Sequence, residues 1–120
     1  MVSTNSPKKD GPIKRGAIVI VQFSPSVGSE TKDRHHAVVV SIDRLNERSP
    51  VITVVPLSTK VEKFFPVFEV LVEETGKPAK VDCTQVRTIS KERIIGIKGQ
   101  VSQQSLSEIG AKIKLALGLD

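Results

Sequence analysis

Apolar residues come in short, β-branched runs over most of the chain and change to helical spacing near its end. The first run, Ile18-Val19-Ile20-Val21, lies inside Ala17 to Phe23 and predicts a strand buried on both faces. Ser24 to Asp33 is a ten-residue polar connection. That is longer than a hairpin requires, and long ordered loops in compact domains are often functional. A second strand is predicted from His36 to Ile42, a polar link from Asp43 to Pro50, and a third strand from Val51 to Leu57. Ser58 to Phe65 fits either a loop or a short helical turn, and Pro66 breaks it. Val67 to Val72 alternates and reads as strand, Glu73 to Pro78 reads as a turn around Gly76, and Lys80 to Thr88 reads as a strand of mixed polarity. Lys91 to Ile95 fits a short strand or a turn, and Gly96 to Val101 is short and Gly-rich.

The period then changes. Leu106, Ile109, Ile113 and Leu117 share one helical face, Ser105-Leu106-Ser107-Glu108 has the capping-box pattern, and Gly118 stands where a helix C-cap falls. Strands first and a helix last predict a small antiparallel or mixed barrel with an appended helix. Residues 1–12 hold small polar residues, lysines and two prolines with no apolar period, and read as a flexible arm; residues 13–120 read as a single domain.

Composition narrows the class. A chain of 120 residues is one domain's worth and buries roughly two-thirds of its unfolded surface, enough for an apolar core. Hydrophobic residues at 38%, charged residues at 26% and a mean hydropathy of -0.06 fit a soluble globular protein. No apolar run approaches the ~20 residues that span a bilayer. The polar N-terminus lacks the features of a signal peptide. The single cysteine, Cys83, has no partner for an internal disulfide, and the expectation is a cytoplasmic protein. Eighteen Lys and Arg against thirteen Asp and Glu give +5 and a pI near 9.6. That suits a nucleic acid or an acidic protein segment, although the first fifteen residues already supply +3 of the charge. With four Phe and no Trp or Tyr, a broad aromatic platform for RNA bases is not expected.

Few groups carry recognisable chemistry. Neither a phosphate-binding glycine loop, a dinucleotide fingerprint nor a nucleophile elbow is present. His35 and His36 are adjacent, so in a strand they point to opposite faces and do not chelate one ion; no metal site is expected. Three polar groups remain. Arg34-His35-His36 opens a strand at the end of the long loop, where an imidazole can move a proton and a guanidinium can hold a phosphate, or where the residues simply form a solvated strand end. Ser58-Thr59 ends the third strand, where the hydroxyls can donate to a phosphate oxygen or satisfy local backbone groups. Thr84-Gln85-Val86-Arg87-Thr88 would put Gln85 and Arg87 on one face of a strand, or form an ordinary amphipathic edge.

Taken in order, these pieces resemble the MazF/PemK family, the toxins of bacterial toxin–antitoxin pairs. Lys14-Arg15-Gly16-Ala17-Ile18 is similar to the family's opening Arg-Gly-Asp-Ile, with Ala17 in place of the acid. Ser24 to Glu30 matches its Pro-x-x-Gly-Ser-Glu loop, and Ala37 to Ser41 its Pro-Ala-Val-Val-Leu-Ser strand. Val54 to Thr59 resembles Val-Pro-Leu-Thr-Ser, and Cys83 to Ile89 resembles Cys-Asp-Gln-Ile-Arg-Thr-Ile. The resemblance runs from about Lys14 to Leu117.

It implies an α+β fold, a small SH3-like β-barrel of the CcdB/MazF type with a C-terminal helix and short helical insertions. It also implies a homodimer and an endoribonuclease that cuts single-stranded mRNA without a metal or other cofactor. In that chemistry the ribose 2′-hydroxyl attacks the adjacent phosphate, leaving a 2′,3′-cyclic phosphate and a 5′-hydroxyl. The family's catalytic Arg falls on His35 in a gap-free alignment, its following Pro on His36 and its hydroxyl residue on Ser58; a one-residue shift of the loop would give Arg34 that role. The resemblance thus assigns His35 as acid/base, Arg34 to steady phosphate charge and Ser58 to hydrogen-bond the scissile phosphate. Ser29, Glu30, Thr59, Gln85 and Arg87 would bind the RNA. The expected inhibitor is a MazE-like antitoxin with an acidic, disordered tail, and no membrane is involved. The alternative is a toxin of the same fold that has no catalytic activity and acts by binding a protein, as gyrase inhibitors do.

Overall fold

The computed structural model describes residues 11–23 and 34–119. Most of the polar arm, the 24–33 connection and, with it, Ser29 and Glu30 lie outside the described residues.

Among the described residues, seven strands form one antiparallel sheet: β1 (Ala17–Gln22), β2 (Arg34–Val39), β3 (Val51–Ser58), β4 (Glu69–Val72), β5 (Ala79–Asp82), β6 (Arg87–Ser90) and β7 (Ile94–Gln100). Among the same residues two α-helices accompany them, α1 (Asp43–Arg48) and α2 (Gln103–Leu117). The hydrogen-bonded path runs β4-β5-β3-β2-β1-β7, with β6 also on β3. That path is open, with β4 and β7 at its two ends. The architecture is therefore a strongly paired antiparallel sheet with one main C-terminal helix.

Both faces of the sheet are covered, and the β-branched run of β1 shows how. Ile18 belongs to a core with Val38, Val55, Leu57, Val70, Val81 and, from α2, Leu106 and Ile109. Ala17, Val19 and Val21 belong to a second core with Ala37, Val39, Ile52, Val54, Ile89 and Ile94. Successive side chains alternate between the two cores, which is why an uninterrupted apolar run suits this strand. Gly16 sets its start. At φ +95° it occupies backbone that favours glycine, while its N–H donates to the Val39 carbonyl at 2.7 Å and its carbonyl accepts from Val101 N–H at 3.0 Å.

Four sequence expectations need correction. The polar link after Ser41 contains α1, a six-residue helix with no side-chain N-cap bond. Its anchor is the buried Asn46, whose amide donates to the Ser41 carbonyl at 2.8 Å and accepts from the Ser41 hydroxyl. A helix held by one buried polar residue has no apolar period to read. The expected strand Lys80 to Thr88 is two strands, β5 and β6. Asp82 Oδ1 accepts from Thr84 N–H at 3.0 Å and from Thr84 Oγ1 at 2.7 Å, turning the chain between them. Helix α2 begins one turn earlier than its capping-box pattern indicates: the N-cap is Ser102, whose Oγ accepts from Ser105 N–H at 3.0 Å. Its other end follows the sequence, with Gly118 at φ 71° and Leu119 N–H bonded to the Lys114 carbonyl at 2.8 Å. Leu106 and Ile109 are buried, Ile113 packs at the edge of the core, and Leu117 is exposed. The Gly-rich segment after Ile94 is not a separate short element but the body of β7, which pairs with β1 through two register shifts. Among the described residues no helix is long and apolar enough to cross a membrane.

Candidate active site

The site residues gather where β1 ends, β2 begins and β3 ends. Antiparallel pairing sets Val21 opposite His35 and Ala37 opposite Pro56. Paired residues share a face, so His35, two positions before Ala37, and Ser58, two positions after Pro56, project to the same side of the sheet. On the far side of β3, Arg87 stands opposite Val54 and projects to that side too.

Phe23 joins the group. Its ring centroid lies 5.3 Å from that of His35, tilted by 48°, and the Arg87 guanidinium carbon lies 4.1 Å from the Phe23 centroid. One phenyl ring thus contacts both an imidazole and a guanidinium through its π system. The Phe23 backbone is itself tied down: Arg93 donates to the carbonyls of Phe23 at 2.6 Å and Gln22 at 3.2 Å. Phe23, Val54, Pro56, Gln85 and Arg87 line a small cavity of about 150 Å³. Gln85 sits in the turn between β5 and β6, not on a strand, yet it reaches the same cavity as Arg87. The half-buried Ser58 accepts from Lys60 N–H at 3.1 Å through its hydroxyl oxygen, which leaves the hydroxyl hydrogen free to donate elsewhere.

The same alternation sends Arg34, His36 and Thr59 to the opposite face. Arg34 Nε donates to Gln22 Oε1 at 3.3 Å. His36 and Thr59 line a separate cavity of about 320 Å³ with Leu57, Thr75, Lys77 and Lys98. Burial, with the charges of Lys98 and His35 nearby, holds the His36 imidazole below the ordinary histidine pKa. Of the residues singled out in the sequence, the structure brings His35, Ser58, Gln85 and Arg87 to one side and puts Arg34 and Thr59 on the other. Cys83 is buried in the core, and burial pushes its thiol up to about 11. Among the described residues no group of three or more His, Cys, Asp and Glu is placed to hold a metal.

Phe23 and Arg93 were not predicted to belong to the site. Phe23 carries one signal, an aromatic at the end of a strand that enters a long polar loop. Arg93 carries none, because its partners are backbone carbonyls seventy residues away in sequence.

Residues 14–117 match the family described as PemK-like, MazF-like toxins of type II toxin–antitoxin systems. The chain belongs to this family. It is 38% identical over 116 residues to the endoribonuclease MazF9 of Mycobacterium tuberculosis, covering 89% of this chain and 98% of that protein. It is 25% identical to the endoribonuclease MazF of Staphylococcus saprophyticus over 111 residues, covering 89% of this chain and 92% of the relative. The fold is similar to that of a crystallised MazE–MazF complex from Deinococcus radiodurans, with a TM-score of 0.76 at 22% identity over 92% of this chain and all of that one.

The architecture accounts for two of the stretches singled out in the sequence. The Arg15-Gly16 pair is needed where the chain turns into β1 at positive φ, with Arg15 N–H bonded to Asp43 Oδ1 at 2.7 Å and Arg15 Nε to the Val40 carbonyl at 3.0 Å. The Val-Pro-Leu-Ser stretch needs apolar residues for both cores and places its hydroxyl at the end of β3, on the face of His35.

Proposed function

We propose that this MazF/PemK family member is an endoribonuclease toxin that cuts single-stranded mRNA at specific sequences. The kinship to MazF9 over nearly the whole of both chains supports the activity. The observation that carries the chemical reading is the stack of His35, Phe23 and Arg87 on the face where Ser58 projects.

In this reading His35 takes the proton of the ribose 2′-hydroxyl as its oxygen attacks the adjacent phosphorus. The bond from phosphorus to the 5′-oxygen breaks, and that oxygen takes a proton from water as it leaves, giving a 2′,3′-cyclic phosphate and a 5′-hydroxyl; His35 then returns its proton to solvent. Arg87 faces the crowded phosphate with a fixed positive charge, and the Ser58 hydroxyl donates to one of its oxygens. Phe23 contacts both the imidazole and the guanidinium, which keeps the two groups near enough to act on one phosphate. Gln85 and Arg87 hold the RNA at the cavity mouth. Arg34 and Thr59, on the other face, contact the strand away from the bond that breaks, and Ser29 and Glu30 add to RNA binding. The reaction proceeds without a metal ion.

The sheet is read as an SH3-like barrel within a single domain. The toxin works as a cytoplasmic homodimer. Its inhibitor is a MazE-like antitoxin whose acidic tail competes with RNA for the basic face; the crystallised MazE–MazF pair from Deinococcus radiodurans is the precedent. The test is incubation of the purified chain with single-stranded RNA in EDTA, followed by analysis of the new ends. Cyclic phosphate and 5′-hydroxyl ends support the mechanism. Fragments ending in 5′-phosphate would refute it.

A further inference from the structure

The sheet face opposite His35 carries a second basic feature. His36 from β2, Thr59 from the end of β3, Thr75 and Lys77 from the turn between β4 and β5, and Lys98 from β7 surround a cavity of about 320 Å³ with Leu57 at its wall. Four separate parts of the chain converge here, and among the described residues no carboxylate lines the cavity.

One acid of this turn is committed elsewhere. Glu74 turns its Oε2 toward α2, accepting from Ser102 N–H at 3.0 Å and from Ser105 Oγ at 3.4 Å. Among the described residues neither Lys77 nor Lys98 has an ion-pair partner. Thr75 Oγ1 donates to the Lys77 carbonyl at 3.1 Å, which fixes the turn that presents the Lys77 side chain. The result is a concave site lined by two lysines, a histidine and two threonines, residue types that supply donors for a tetrahedral oxyanion.

We propose that this cavity is a phosphate-binding subsite, and that the phosphate it takes belongs to the RNA strand some nucleotides away from the bond that breaks. The assignment to RNA rests on the endoribonuclease reading. His35 and His36 are neighbours on β2 facing opposite ways, so a strand passing over the sheet end at Arg34 and Ser58 meets the reactive group on one side and this cavity on the other. The subsite anchors the strand and takes no part in bond cleavage.

The experiment uses a single-stranded oligonucleotide methylated at every 2′-oxygen, which the attack cannot cleave. Its affinity is measured across a salt series for the wild type and for K77A/K98A, two exposed positions whose truncation leaves the cores intact. The subsite predicts about a tenfold loss of affinity and a salt slope shallower by about 0.7 for each phosphate contact removed. A parallel titration with inorganic phosphate follows the His36 imidazole resonance, which should move in the wild type and not in the variant. Unchanged oligonucleotide affinity and slope in the variant, with normal binding by the wild type, would overturn the RNA assignment, and a His36 response to phosphate would then mark the cavity as a site for the free ion. A wild type that binds no oligonucleotide would remove the endoribonuclease reading along with this one.

Discussion

Replacing Arg87 separates the chemical role of the stacked site from any structural one. Arg87 is exposed and stands opposite Val54 at the edge formed by β6, and its guanidinium carbon is 4.1 Å from the Phe23 centroid. An exposed cation–π contact of this kind contributes about 0.5–1 kcal/mol, so Arg87→Ala should lower the melting temperature by only a few degrees. Its loss from the reaction should be far larger. Removing a fixed donor aimed at charge developing in a transition state typically costs about 2.7–4 kcal/mol, or about 10²–10³ in rate. Arg87→Lys keeps the charge but loses the planar group that lies over the ring, and its rate should fall between those of the wild type and the alanine variant. The assay is single-turnover cleavage of a labelled single-stranded RNA in EDTA, with melting curves for all three proteins. An alanine variant that cuts within a few-fold of the wild type while keeping its melting temperature would refute the assignment of Arg87 to the reacting phosphate.

Two predictions concern the scaffold. Gly16→Ala places a Cβ at φ +95° and 3.2 Å from the Leu106 side chain, which can give way. Backbone strain of order 1–3 kcal/mol should therefore dominate, read as a lower urea midpoint with an unchanged m-value; an unchanged midpoint would contradict it. Burial pushes the Glu74 carboxyl up, but its hydrogen bonds, led by the one from Ser102 N–H, outweigh burial and leave its pKa below the ordinary value. A depressed carboxylate stabilises the fold above its unfolded pKa, and that contribution fades as pH falls through the folded one. Wild type and Glu74→Gln should therefore differ in denaturation midpoint at neutral pH and converge on acidification, and a difference independent of pH would refute the role of the Glu74 charge.

How much of this was legible depended on whether a residue answers to local or distant partners. The β1 run announced a strand buried on both faces because its pattern is a property of the strand alone. The C-cap at Gly118 was readable for the same reason, since positive φ favours one residue type. Helix α1 was not readable, because its anchor is a polar contact between Asn46 and Ser41 that has no period. The break between β5 and β6 lay in the Asp82 side chain bonding its own chain two residues on, where a β-rich composition suggested continuity. At the site, strand alternation already separates His35 from Arg34 and His36. What alternation does not convey is that Phe23 contacts both His35 and Arg87, since those contacts join the end of β1 to β2 and β6 through tertiary pairing. The basic cavity around Lys77 and Lys98 was hidden likewise, its members lying far apart in sequence.

The most direct test of the account compares strand scission by the wild type, His35→Ala and Arg34→Ala on one RNA in EDTA, each protein verified as folded. The account predicts that the wild type cuts, that His35→Ala loses about 10²–10⁴ in rate, and that Arg34→Ala retains the chemical step with weakened binding. A His35→Ala protein as fast as the wild type, beside an inert Arg34→Ala, would contradict it.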